Sequence, residues 1–422
     1  MRGRWSGLAT ALAGLTLALA LALGTTGCKG TQDSLGYNSK AGLRPLDKRP
    51  SSYPNLFREV GHSDTEIANK IAAWFTQLFH GDAGSQAIYF PVGTDQANIQ
   101  DILHAKEIRT EGIGLAMMIA VQLDKREEFD RLWTYATTVL ERQDGAGRGY
   151  FQSHCDMPTT TQPCDDPYGE QQMLMALIFA HDRWTSETTI DYETEALELL
   201  DVLRHKEEEN KGVLDGVTNT FDEVSGLPWD VPTDTAARAN IGRPSIVMPA
   251  YYDLWNQATG DPFWTRDATA SRAYLTAAAN PTTGLTPVRF TFDGQQVPPW
   301  NTFLAESYRA QINMALDRIW TTGTPNEWEQ KEADLLLTFF SSKGIDNYNA
   351  TFSLDGTALD TTRDNALVAC NGVTAMIGTK VDRKDYVDAV WALPPPVGSS
   401  RYYSGIIGLT ALLMLSGQYI IW

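Results

Sequence analysis

Ile108-Arg109-Thr110-Glu111-Gly112-Ile113-Gly114-Leu115-Ala116-Met117-Met118-Ile119-Ala120 is the stretch on which the reading of this chain turns. After Glu111 no further negative charge occurs before Asp124. Small and apolar residues on every side make a helix that has to be buried all round. Glu111 stands where a polar loop gives way to that helix. A carboxyl in such a place is partly desolvated, which disfavours its charged form and suits a general acid. The competing reading is a helix-start glutamate stabilised by the helix dipole.

The same kind of segment returns at 171–184, 245–258, 306–320, 366–378 and 405–416, alongside 111–123. A second kind alternates with it, at 64–79, 126–142, 191–206, 263–278, 326–341 and 383–391. These are amphipathic. In the first of them Ile67, Ile71, Trp74, Phe75 and Leu78 recur at three- and four-residue spacing, the mark of a one-sided apolar stripe. Links from buried to half-exposed segments are short, such as Asp124-Lys125 and Thr259-Gly260-Asp261. Links in the other direction are long: 80–110, 143–169, 207–244, 279–305 and 342–365. An all-α fold satisfies this alternation, an (α/α)6 barrel of six inner helices ringed by six outer ones. All long loops then gather on one face, at the N-terminal ends of the inner helices, and long loops in compact domains usually carry function. No motif of fixed period supports a helical solenoid.

The chain has 422 residues, 43% of them hydrophobic and 20% charged, enough for a large core. Residues 1–27 differ from the rest. Arg2 and Arg4 precede an apolar run from Leu8 to Leu23, followed by Gly24-Thr25-Thr26-Gly27-Cys28. That is the layout of a secretory signal. A cysteine directly after small residues resembles a bacterial lipobox, with Cys28 as the lipidated first residue. The expected organisation is a signal peptide over 1–27, a lipid-anchored extended leader over 28–62 and the barrel over 63–422. An uncleaved transmembrane anchor is the alternative. Either way the protein is expected in the cell envelope, on a bacterial membrane through its anchor or secreted.

The formal charge is −18, or −18 − 2 = −20 once Arg2 and Arg4 are removed. Such an acidic surface argues against nucleic acid and suits a neutral substrate. Cys155 and Cys164 share one loop, where an oxidising compartment would favour a disulfide. Cys370 lies in an apolar helical run and reads as a buried thiol.

The residues that open the inner helices are Thr110-Glu111, Tyr168-Gly169-Glu170, Arg243-Pro244-Ser245, Ala305-Glu306-Ser307-Tyr308-Arg309, Arg363-Asp364-Asn365 and Arg401-Tyr402-Tyr403-Ser404. Glu111 and Glu306 occur in similar settings. Two carboxyls across a cleft are the minimal equipment for glycoside hydrolysis: one protonates the leaving oxygen, and the other activates water or attacks directly. Arg309, one turn after Glu306, would favour the ionised form of that carboxyl, or form only a structural i, i+3 pair. No metal-spaced histidine pair, nucleophile elbow or phosphate-binding glycine pattern is present, so neither metal nor cofactor is expected. His62, His80 and His104 read as loop or surface residues, and Asp215-Gly216 and Asp293-Gly294 as turns.

Thr110-Glu111-Gly112, Met117 to Leu123 and Glu128-Phe129-Asp130-Arg131-Leu132-Trp133 resemble glycoside hydrolase family 8. So do Gly169-Glu170 with Met175-Ala176-Leu177 and Arg183-Trp184, and Ser307-Tyr308-Arg309. Arg401-Tyr402-Tyr403 and Leu413 to Trp422 look most like the reducing-end xylose-releasing exo-oligoxylanases within that family. The resemblance runs from about Ser63 to Trp422. It implies an (α/α)6 barrel and an inverting mechanism on β-1,4-linked glycans, with xylo-oligosaccharides foremost.

By the same resemblance Glu111 is the general acid. Glu306 falls on the general base, a position that usually holds Asp. Tyr168 stands where the family has an Asp that binds the sugar next to the cleaved bond, and Asp165 or Asp166 in the same loop would take over that task. Arg363 falls near a His that contacts the reducing-end xylose. With Arg309, Tyr402 and Tyr403 these complete the expected substrate-binding set. The partner is thus a β-glycan oligosaccharide, with the membrane touched only through the lipid anchor, no nucleic acid and a monomeric chain. The changes at Tyr168 and Glu306 keep a second reading open, a surface glycan-binding lipoprotein with weakened catalysis.

Overall fold

The computed structural model describes residues 42–48, 50, 53–153, 164–185, 189–232, 240–321 and 327–422. The signal peptide, Cys28 and the pairing of Cys155 with Cys164 lie outside the described residues. After a short helix α1 (Leu56–Glu59), twelve helices alternate between two layers: α2 (Asp64–His80), α3 (Thr110–Gln122), α4 (Arg126–Tyr135), α5 (Pro167–Arg183), α6 (Tyr192–Asn210), α7 (Pro249–Thr259), α8 (Pro262–Ala278), α9 (Arg309–Trp320), α10 (Glu327–Lys343), α11 (Asn365–Thr374), α12 (Arg383–Ala392) and α13 (Arg401–Leu415). The odd-numbered helices from α3 to α13 form the inner layer and the even-numbered ones the outer. α13 packs against α3, so the last inner helix closes the ring on the first. The architecture is the (α/α)6 barrel that the alternation predicts.

The two layers follow from composition. Every residue of α3 is buried, as is every residue of α5 from Pro167 to Ala180. α2 buries only Ile67, Ile71, Trp74, Phe75, Leu78 and Phe79 and turns its charged face outward. Its start is set by a capping box between Ser63 and Glu66, which satisfies two backbone donors at once. Part of the segment before α2 also lies on the barrel. Leu46, Leu56 and Phe57 are buried, and the Arg44 amide donates to the Ala258 carbonyl at 2.8 Å.

Four inner helices begin three or four residues from where the periodicity predicts, among them α9, which starts at Arg309 rather than 306 after the 3-10 turn Ala305–Tyr308. α5 starts at Pro167 rather than 171, because proline fits the first helical position and Asp166 caps it by accepting from the Tyr168 amide at 3.2 Å. α13 starts at Arg401 rather than 405. Arg401 is buried, and its guanidinium donates to the carbonyls of Ala87, Gly398 and Ala83, so a charge that reads as loop belongs to the helix. α7 starts at Pro249, after a 3-10 turn over Pro244–Ile246.

The packing of α5 on α3 matters for the site. A Cβ on Gly169 would collide with the Thr110 backbone, and one on Gly114 would stand 2.6 Å from the Gly169 carbonyl oxygen. Glycine at these two points lets α3 and α5 approach backbone to backbone, which brings the start of α5 beside Glu111.

The long links carry short antiparallel strands. β1 (Tyr89–Val92), β2 (Gln96–Asp101) and β3 (Glu107–Ile108) form one sheet, with Tyr89 opposite Ile99 and Gln100 opposite Ile108. β4 (Gln152–Ser153) pairs with β5 (Cys164–Asp165), β6 (Ile241–Gly242) with β7 (Phe290–Thr291), and β8 (Thr302–Phe303) with β9 (Phe352–Ser353). The last two pairs tie the loop 207–244 to 279–305 and the loop 279–305 to 342–365.

Candidate active site

The helix starts and their long loops surround a cavity of about 650 Å³. That falls within the range of about 300–1,000 Å³ usual for ligand pockets. Its wall includes Glu111, Asp166, Asp230, Arg243, Arg289, Glu306, Arg309, Arg363, Tyr402 and Tyr403. Six carboxylates (Asp101, Glu111, Asp166, Asp230, Glu306, Asp364) face five guanidiniums (Arg109, Arg243, Arg289, Arg309, Arg363), so the cavity is close to neutral despite the acidity of the whole chain. Such a lining is compatible with an uncharged, hydroxyl-rich ligand. Among the described residues no group of three or more His, Cys, Asp or Glu is set to hold a metal ion.

Glu111 occupies the first turn of α3 and is 6% exposed. One oxygen, Oε1, accepts a hydrogen bond from the Tyr402 hydroxyl at 3.0 Å. The other, Oε2, is in ion contact with the Arg309 guanidinium. Burial holds the Tyr402 hydroxyl well above its ordinary pKa, so it remains a donor to this carboxyl.

Arg309 is therefore not simply the helix-turn partner of Glu306. It reaches Glu306 Oε1 only at 3.5 Å, while its closer contact is across the ring with Glu111. The spacing of three residues hid this, because the guanidinium extends past its own helix turn into the centre of the ring. Arg309 is 2% exposed, and burial pushes its pKa down, against the opposing influence of Tyr403 and Tyr402.

Glu306 lies in the 3-10 turn Ala305–Tyr308 that precedes α9, and its side chain is 29% exposed. Its main partner is Arg243, whose Nη1 meets Oε1 at 2.5 Å. The same guanidinium gives Nη2 to Asp166 Oδ1 at 2.8 Å and sets Nε 2.6 Å from Asp230 Oδ1. Burial alone would push the Arg243 pKa down. The carboxylates of Asp166, Glu306 and Asp230 outweigh it and hold that pKa well above the ordinary value. Both arginine contacts of Glu306 fall on Oε1. Among the described residues no hydrogen bond or ion pair engages Oε2.

Tyr168 departs from its expected place. It is fully buried and absent from the cavity wall, with its ring 4.3 Å from the Arg309 guanidinium. The early start of α5 puts Tyr168 in the first helical turn, facing the packed interior rather than the cleft. It supports Arg309 from behind and leaves the cavity open. Asp166, the alternative carboxylate, does line the cavity. Tyr403 lines it too and donates to the Ala305 carbonyl at 2.5 Å, next to Glu306. Arg363 is exposed on the wall, anchored by the Ile345 carbonyl at 2.8 Å and lying 5.0 Å from the centre of the Tyr348 ring.

Several wall residues escaped the sequence reading. His104, which reads as a loop or surface residue, is indeed exposed in a turn; it also lines the cavity, with its Nδ1 2.7 Å from Asp101 Oδ2. Asp230 and Arg289 come from loops without local pattern, and their contact at 2.6 Å spans 59 residues. Arg243 did carry a signal, since it opens an inner segment as Glu111 and Glu306 do. Cys370 is buried as expected, which raises its thiol pKa well above the ordinary value.

Comparisons with known proteins bear on this geometry. The reducing-end xylose-releasing exo-oligoxylanase Rex8A of Paenibacillus barcinonensis is 31% identical over 380 residues, which cover 87% of this chain and 96% of that protein. Its structure in complex with xylose superposes with a TM-score of 0.80 at 31% identity, over 89% of this chain and 99% of the other. A reducing end xylose-releasing exo-oligoxylanase of Halalkalibacterium halodurans is 32% identical over 383 residues, or 88% of this chain and 94% of that one. Endoglucanase 2 of Ruminiclostridium josui is more distant, 23% identical over 318 residues that cover 74% of this chain and 64% of the relative. The family model for glycosyl hydrolases family 8 matches residues 91–417, from the first strand to the end of the last inner helix. The chain is a glycosidase and belongs to glycosyl hydrolases family 8.

Proposed function

We propose that this protein hydrolyses β-1,4-linked glycans with inversion, xylo-oligosaccharides foremost, with Glu111 as general acid and Glu306 as general base. The observation that carries this reading is the single Arg309 guanidinium in contact with both carboxyls on the wall of an open cavity. Inverting enzymes seat the attacking water between two carboxyls roughly 6.5–9.5 Å apart.

The roles follow from which oxygens are engaged. Arg243 and Arg309 hold Glu306 by Oε1, and Oε2 is left to take a proton from water as it attacks the anomeric carbon. Glu111 gives its proton to the glycosidic oxygen as that bond breaks. The carboxylate left behind has the Arg309 guanidinium on one oxygen and the Tyr402 hydroxyl on the other, donors already in place where charge develops. Asp166, held by Arg243, offers the cavity a carboxylate close to the one that Tyr168 cannot supply. Xylo-oligosaccharides are put first because two relatives at 31–32% identity carry that activity in their names. The open cavity behind Tyr168 favours a working hydrolase over a barrel that only binds glycan.

The test is incubation with xylo-, cello- and chitosan oligosaccharides, with NMR of the anomer first released. Release of the inverted anomer, reduced at least about a hundredfold in Glu111→Gln, is the expected result. Binding without hydrolysis of any of these glycans would overturn the catalytic reading. Retention of configuration would overturn the assignment of Glu306 as base.

We also propose, from the amino-terminal sequence, that the enzyme works outside the cytoplasm, tethered through Cys28.

A further inference from the structure

Among the described residues Trp300 is the only aromatic side chain in the set of exposed large hydrophobics, at 44% exposure. A lone exposed apolar residue is ordinary. What sets Trp300 apart is how firmly it is held in that position. Its amide donates to the Val297 carbonyl at 2.7 Å, and its carbonyl accepts from the Arg289 amide at 3.1 Å. The Arg289 guanidinium lies 4.4 Å from the centre of its ring and is itself fixed by Asp230 Oδ2 at 2.6 Å.

These contacts form a continuous line from the site to the rim: Glu306 to Arg243, Arg243 to Asp230, Asp230 to Arg289, Arg289 to Trp300. Arg289 belongs to the cavity wall and Trp300 does not. The indole is therefore a flat, oriented, water-facing surface just outside the cavity in which the carboxyls lie.

We infer that Trp300 is a stacking platform for a pyranose ring of a β-glycan chain extending out of the catalytic cavity, a subsite beyond those within it. The inference rests on the glycan-hydrolase reading of the cleft. A pyranose presents a face of C–H groups that packs on an aromatic face, and a ring held in place loses little entropy on binding it. The platform adds affinity only for oligosaccharides long enough to reach it. It thus sets a chain-length preference without touching the reacting bond.

The experiment measures binding of xylo- and cello-oligosaccharides from two to six sugars by calorimetry. The protein is the full chain carrying Glu111→Gln, with and without Trp300→Ala, Trp300→Leu or Trp300→Phe. Hydrolysis of the same series is followed in the background that retains Glu111. The expected result is a step in affinity at one chain length that Trp300→Ala and Trp300→Leu abolish, roughly three- to tenfold, and Trp300→Phe largely keeps. Leucine retains apolar volume without a flat face, so it answers the question even where alanine unsettles the loop. An unchanged length profile in the leucine variant overturns the platform, whatever happens to hydrolysis. A step lost with Trp300 but no hydrolysis supports the platform and removes the hydrolase reading. No binding at any length overturns both.

Discussion

Replacing Arg243 with methionine removes the side chain that, among the described residues, joins Glu306, Asp166 and Asp230. The three carboxylates are not left equally exposed to the loss. Asp230 keeps Arg289 at 2.6 Å, and Glu306 keeps Arg309 at 3.5 Å. Asp166 has no other ion pair among the described residues. Removing one partner of a buried pair costs about 3–5 kcal/mol. Asp166 and Glu306 retain 16% and 29% exposure and hence some hydration, so a loss near the lower end, about 3 kcal/mol, is expected in urea unfolding.

The effect on rate has a different origin. Glu306 would lose the closer of the two contacts that fix Oε1, and a misplacement of about 1 Å costs on the order of a hundredfold in kcat. Arg243→Lys keeps the charge but cannot serve three carboxylates from one ammonium, so it should recover kcat only in part. A methionine variant with kcat within about threefold of the wild type would refute the argument.

Glu306→Asp tests whether the longer carboxylate is a handicap or a fitted part. Because Glu306 Oε1 reaches both arginines, shortening it is expected to lower kcat, by about tenfold, on xylo-oligosaccharides. A gain in rate would show that the site is built for the shorter acid. Away from the cleft, Glu329 in α10 is fully buried, and burial first, then the neighbouring Asp317, raises its pKa well above the carboxylate range. A raised folded-state value gives stability that is complete below the unfolded pKa and lost as pH rises through the folded one. Glu329→Gln should therefore gain on the wild type in melting temperature between about pH 5 and about pH 8, and a constant difference would refute this. Cys28→Ala should abolish incorporation of labelled fatty acid and release the protein from the membrane fraction; labelling that persists would refute the anchor.

The two helix layers were legible because burial on all sides and burial on one side leave different marks in sequence. α3 has no charge after Glu111, whereas α2 keeps a charged face. Boundaries were less legible where one residue overrode periodicity, as Pro167 and Arg401 did. Within the site, Glu111 and Glu306 could be found because each opens an inner segment. Their partners could not. The contacts of Arg243 with Asp166 and Glu306 span 77 and 63 residues, and nothing local announces them. Tyr168 shows the opposite failure. Its position in a motif pointed to the cleft, but four extra residues of helix turned it into the core.

The strand pairs β6 with β7 and β8 with β9 carry an evolutionary consequence. Neighbouring loops share backbone hydrogen bonds through them, so a loop exchanged alone would leave its partner's donors and acceptors without mates. The unit that can be grafted between such enzymes is then a stapled pair, inherited or swapped together. A change of substrate range should appear as correlated replacement of two adjacent loops on an unaltered ring of helices.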